Sequence, residues 1–110
     1  STAEDLESLL RTTYQEAPFL WELSRDKDKT IYALGGAPHS FFNINALAGH
    51  LSNFIGGKTG STDTARESVI LLFEAPLGNP RGLVLLGADP GGKRFEEATE
   101  IINHITTVLP

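Results

Sequence analysis

Ile55-Gly56-Gly57-Lys58-Thr59-Gly60-Ser61-Thr62 decides how the rest of this 110-residue chain is read. It sets a lysine, a hydroxyl and a residue without a side chain in a row, a few residues before the aliphatic run 68–75. As an extended segment it places Lys58 and Gly60 on one face and Thr59 and Ser61 on the other, with backbone N–H and C=O groups free along one edge. A bare α-carbon at Gly60 lets a second backbone come close. The pattern predicts an edge strand that holds an anionic, peptide-like ligand.

A phosphate-binding P-loop would need a glycine, four residues, Gly-Lys-Ser/Thr and then a helix. Ser52 stands where that first glycine belongs, and Thr59 is followed by Gly60 and then a β-branched run, which excludes the P-loop. Lys-Thr-Gly is also the box of the penicillin-binding proteins and serine β-lactamases. Around it lie Asn43-Ile44-Asn45-Ala46-Leu47, the continuation Ser61-Thr62-Asp63 with Ala65, then Leu83-Val84-Leu85-Leu86-Gly87-Ala88 and Arg94-Phe95-Glu96-Glu97-Ala98. With the opening Ser1-Thr2-Ala3-Glu4-Asp5-Leu6, these resemble, in order and spacing, the serine D-alanyl-D-alanine carboxypeptidases of bacterial cell walls, the low-molecular-mass penicillin-binding proteins. The resemblance runs nearly end to end but covers only the C-terminal half of that catalytic domain. It departs at one position, where Arg66 stands in place of the glycine that usually closes Thr-Asp-x-Ala-Gly.

The resemblance implies an α+β chain that is part of a β-lactamase/transpeptidase-like fold. It implies that Lys58 helps to hold a substrate's terminal carboxylate and shapes the field at the nucleophile, and that the Thr59 hydroxyl bonds the same carboxylate. Gly60 completes the box, the Ser61 backbone N–H serves an oxyanion hole, and Thr62 is structural or adjacent to substrate. The implied ligand is a peptidoglycan stem peptide or a β-lactam, added as a strand to the edge, and the implied location is the cell envelope, outside the cytoplasm. Acyl-enzyme chemistry needs a serine and an activating base, and the expectation is that this chain lacks both the Ser-x-x-Lys nucleophile and a Ser-x-Asn element. The nucleophile is then expected on a missing segment, the N-terminal half of the catalytic domain, or on a separate chain, leaving this chain inactive alone. A non-catalytic peptide-binding or interaction module derived from the same fold is the alternative, and a plain α+β structural domain is a third reading.

Composition narrows the partners. The net charge is -5 and the basic residues are scattered, so no stripe exists to neutralise nucleic-acid phosphates. Cysteine is absent, and His39, His50 and His104 lack metal-ligand spacing, so neither metal nor cofactor is expected. The apolar runs fall far short of the ~20 residues that span a bilayer. No signal peptide opens the chain, which is expected to start downstream of one.

Residues 1–110 read as one domain, helical and looped over 1–54, with a sheet and a C-terminal helix over 55–110. A capping box Ser1/Glu4 starts a helix over 1–14 with Leu6, Leu9, Leu10 and Thr13 on one face. Pro18 opens a short helical turn over 19–23, where Phe19, Leu20 and Trp21 serve as core or lid packing. Asp26-Lys27-Asp28-Lys29 reads as a solvated loop, and 30–34 as a short strand stopped by Gly35, Gly36 and Pro38. Phe41 to Asn45 reads as turn chemistry, its two asparagines a brace beside the site. Strands at 55–62, 68–75 and 83–88 form an antiparallel three-strand meander with the first at the edge. A helix over 93–109 lays Phe95, Ala98, Ile101, Ile102, Ile105 and Val108 across it. Arg94 sits at the wrong end for the helix dipole, and is either a specific contact or a solvated cation. The third strand's unpaired edge predicts a dimer, a swapped element or a partner chain.

Overall fold

Val69, Leu71 and Phe73 alternate along the sequence with Ile70 and Leu72, and all five are buried or half-buried, so this strand is covered on both faces. It is the middle of three. In the computed structural model, which describes residues 1–108, β3 (Phe54–Thr62), β4 (Arg66–Glu74) and β5 (Pro80–Ala88) form an antiparallel sheet in the order β3-β4-β5. β1 (Asp28–Tyr32) and β2 (Pro38–Phe42) make a separate hairpin. Three helices complete the chain: α1 (Ala3–Glu16), α2 (Phe19–Leu23) and α3 (Lys93–Val108).

The two sheet faces bury different partners. Val69, Leu71 and Phe73 pack with Leu47, Ala48, Phe54 and, from α3, Ala98 and Ile102; Phe95 and Ile105 border this core. Leu72 packs on the other side with Leu10 of α1 and Trp21 of α2, with Tyr14, Ile55 and Ile70 at the margin. The helical stripe read from the sequence therefore does lie on the sheet, though Val108 at its end is exposed. Its proposed last residue, Leu109, falls outside the described residues.

Glycines set the close approaches. A Cβ on Gly56 would fall 2.7 Å from Ser24 Oγ and still closer to the Trp21 carbonyl oxygen, a backbone atom that cannot move aside. A Cβ on Gly57 would fall 2.8 Å from Ile70 O and 3.0 Å from Asn45 Nδ2. The double glycine thus lets α2 lie against the start of β3.

Three local expectations are corrected. The capping box is Thr2/Asp5, one residue later than Ser1/Glu4: Asp5 N donates to Thr2 Oγ1 and Thr2 N to Asp5 Oδ2, each at 3.1 Å. Both pairs have the required spacing, so sequence does not separate them. Asp28 and Lys29 belong to β1 rather than to a loop. Pro38–Phe42, read as breaker and turn, is its partner strand, joined through a turn in which Gly36 has φ +88. Every residue of this hairpin is exposed. With no buried face there is no inward-outward alternation for a sequence pattern to show. The final half of the Phe41–Asn45 reading stands, because Asn43 and Asn45 do form turn and bracing bonds, described below.

Arg66 closes the β3-β4 turn with φ +62, the only described non-glycine residue in left-handed conformation. Thr62 pairs with Arg66 across a three-residue loop, where the position before the returning strand favours glycine. Arg66 Nη1 meets Asp89 Oδ1 at 3.0 Å, both side chains well exposed, which offsets little of the backbone cost.

Two stability outcomes follow from this geometry. Gly56→Ala is expected to lower the unfolding free energy by about 1–3 kcal/mol, the range for forcing atoms into a filled site. Arg66→Gly is expected to raise it by about 0.5–1 kcal/mol, the left-handed penalty less the extra chain entropy of glycine. Urea titration of both variants checks the pair, and the opposite sign in either refutes its explanation.

Candidate functional site

The ladder assigns the backbone groups of β3. Gly57 N–H leaves the sheet and donates to Ser24 Oγ at 3.0 Å, so Gly57 directs its polar groups away from β4. The register runs unbroken from Gly56 to Thr62. In an antiparallel pair bonded and non-bonded positions alternate, so Thr59 and Ser61 likewise turn N–H and C=O to the open side, while Lys58 and Gly60 bond β4. α2 covers this edge only at its start. From Lys58 to Thr62 the strand is a free edge.

Along that edge Lys58 is exposed and its Nζ donates to Thr59 O at 2.7 Å, which holds the ammonium on the open side. Among the described residues no carboxylate pairs with it. Its side chain shares the face of Ile70. Thr59, opposite Val69, lies on the α3 face and is 9% exposed. Gly60 contrasts with Gly56 and Gly57, since a Cβ built there meets nothing within 4 Å. The fold does not require glycine at this position. Thr62 Oγ1 accepts from Ala65 N at 3.0 Å inside the turn.

A cleft of about 380 Å³ opens beside the strand, bounded by Gly57, Lys58 and Thr59 on one side and by Phe42, Asn43 and Asn45 on the other. The two asparagines build its wall. Asn43 Nδ2 donates to Ser24 O at 2.8 Å and Asp26 O at 3.1 Å, and its Oδ1 accepts from Asn45 N at 3.0 Å. Asn45 Oδ1 then accepts from Leu47 N at 3.0 Å, leaving its buried Nδ2 unpartnered beside the bare α-carbon of Gly57. The brace anticipated from the sequence is therefore real. Its link to α2 has no local sequence signal, because Asn43 and Ser24 are 19 residues apart.

One expectation about the nucleophile is wrong as stated. Ser24-Arg25-Asp26-Lys27 does spell Ser-x-x-Lys. The structure does not assemble it into a catalytic pair. Ser24 is the C-cap of α2, so no helical turn stacks Lys27 beside it. Its hydroxyl donates to Trp21 O at 2.9 Å and accepts from Gly57 N, and the Lys27 stem lies against Gly49. Ser24 is thus bound into the support of β3, its hydroxyl engaged by two backbone groups.

Arg94 makes a specific contact. Its Nη1 reaches Gly60 O at 3.0 Å and Ser68 O at 3.3 Å, joining α3 to both β3 and β4. Among the described residues no group of three His, Asp or Glu side chains lies together as a metal site would need.

Two solved structures share this architecture. The chain superposes in full on 42% of a D-alanyl-D-alanine carboxypeptidase from Mycobacterium tuberculosis, with a TM-score of 0.79 and 21% identity. It likewise superposes in full on 42% of a penicillin-binding protein homolog from Mycobacterium tuberculosis, with a TM-score of 0.81 and 20% identity. The chain therefore has the α+β fold found in these proteins and spans less than half the length of either. No protein-family profile and no curated protein matches it.

The support of β3 is testable by stability alone. Ser24→Ala strands the Gly57 N–H and is expected to cost about 1–2 kcal/mol. Gly60→Ala is expected to stay within about 0.5 kcal/mol of the parent. Thermal unfolding of the two variants measures both, and a large loss in Gly60→Ala would mean that the fold does need the glycine.

Proposed function

We propose that this chain is the C-terminal, sheet-bearing portion of a serine-type D-alanyl-D-alanine carboxypeptidase domain that processes peptidoglycan stem peptides in the cell envelope. The observation that carries this reading is the free edge of β3 from Lys58 to Thr62, which presents an unpaired ammonium, outward amides and a glycine that packing does not demand. A carboxylate-ended peptide adds to the edge as a further strand. Its terminal carboxylate meets Lys58, a compact point charge, and the Thr59 hydroxyl. The amide of Ser61 faces the same side and donates to the oxygen that becomes negative when the peptide carbonyl is attacked. Gly60 keeps the approach clear. Thr62 acts by shaping the turn.

The attacking serine comes from outside these residues, since Ser24 is committed to Trp21 and Gly57. The N-terminal half of the catalytic domain supplies it and covers the unpaired edge of β5, or a second copy of the chain covers that edge. The likeness to a carboxypeptidase and to a penicillin-binding protein homolog supports this reading at the level of fold. Among the described residues no helix is long and apolar enough to cross a membrane. The lack of an assembled nucleophile among the described residues favours one other reading, a peptide-binding module of the same fold that has no reaction.

A fluorescent penicillin separates the two. The expected outcome is no covalent label on this chain alone and a label once the N-terminal segment is supplied, on a serine of that segment. Lys58→Gln and Gly60→Ala are expected to slow labelling by at least tenfold, about 1.4 kcal/mol of lost interaction, with the fold intact. A label on the isolated chain would overturn the external nucleophile, and no label under either condition would leave the binding module.

A further inference from the structure

Lys93 and Arg94 both begin α3, where the helix dipole disfavours cations, yet only one is drawn inward. Lys93 is 55% exposed and pairs with Glu96 of its own helix. The Arg94 side chain is 12% exposed and lies 3.3 Å through Nε from Glu67 Oε2, itself 19% exposed. That contact is an ion pair without an aligned hydrogen bond, because Nε has no hydrogen-bond partner. The guanidinium carbon sits 4.7 Å from the Phe95 ring centroid. These contacts aim Nη1 at the carbonyl oxygens of Gly60 and Ser68.

The Gly60 carbonyl and the Ser61 N–H are two ends of one planar, conjugated peptide group. The carbonyl faces β4 and Arg94, and the N–H faces the open edge. A cation on the oxygen draws electron density along the conjugated unit, leaves the N–H a stronger donor, and fixes the plane that aims it. We infer that Arg94 is a positioning residue for the Ser61 amide, acting through the Gly60 carbonyl to orient and strengthen the donor of the oxyanion site. Glu67 and the Phe95 ring hold the guanidinium in place. This inference deepens the reading of Ser61 given above and rests on it for its consequence in catalysis, but the coupling itself belongs to the peptide group and is measurable without a reaction.

The test is the amide spectrum of the ¹⁵N-labelled chain in Arg94→Met, which keeps an apolar stem, and in Arg94→Lys, which keeps a charge but lacks the planar fork. Thr59 is the internal control, since its amide shares the open edge while Arg94 leaves the Lys58 carbonyl untouched. The Ser61 nitrogen resonance is expected to move upfield in the Met variant and part of the way in the Lys variant, with Thr59 unchanged. If Ser61 stays in place, or moves only together with Thr59, Arg94 merely packs α3 on the sheet and the inference fails. Should the Met variant not fold, the Lys variant against the parent decides by the same criterion. In the form that penicillin labels, Arg94→Met is expected to slow acylation at saturating penicillin with unchanged non-covalent affinity. The loss should fall short of the ~10²–10³ that follows removal of a whole oxyanion donor. A weaker affinity with an unchanged acylation rate would assign Arg94 to ligand binding and overturn the inference. Absence of labelling would sink the proposed function while leaving the Ser61 shift as it is found.

Discussion

The backbone of α2 touches the backbone of β3, and much of the site's layout depends on that contact. It requires Gly56, where any side chain would meet the Trp21 carbonyl, and it consumes the first outward amide of the edge, Gly57 N–H, through Ser24 Oγ. Beyond this point the helix ends and the strand continues unaccompanied. A free sheet edge is a liability in a folded protein, open to pairing with any extended chain. Here it is confined to a few residues, with an exposed lysine on it and a buried sheet behind it.

Rigidity behind the edge comes from both sides. On one, Asn43 and Asn45 link the end of α2, the start of the β1-β2 hairpin and the segment running to Leu47, so the cleft wall moves with the helix that anchors the strand. On the other, Arg94 joins the carbonyls of Gly60 and Ser68 to α3. The core residues Val69, Leu71 and Phe73 hold the middle strand between these supports. Each support meets backbone through side-chain hydrogen bonds. This suits a site in which amide directions matter more than side-chain bulk.

Legibility followed burial. The meander and α3 were plain in the sequence because their apolar residues repeat at the spacing of a covered strand or helix. The β1-β2 hairpin was half missed because it has no covered face, and Pro38 and Gly36 read as breakers although they start a strand and shape its turn. The capping box slipped by one residue because two adjacent pairs both satisfy the spacing. Ser24-Arg25-Asp26-Lys27 is the opposite case, a match of letters without the geometry. The letters of a catalytic motif occur there without the helical turn that would bring serine and lysine together.

What the sequence by itself determined is the alternation of Lys58, Thr59, Gly60 and Ser61 between two faces of a strand, since side-chain direction in extended chain is a local property with a period of two. Which edge stays open could be named but not explained from sequence, because it depends on where α2 stops. The same holds for Ser24 on Gly57 and for Arg94 on Gly60, pairs 33 and 34 residues apart. Hydrogen bonds between distant segments carry no periodic signature, so only the packed chain decides which polar groups meet and which amides remain free to bind.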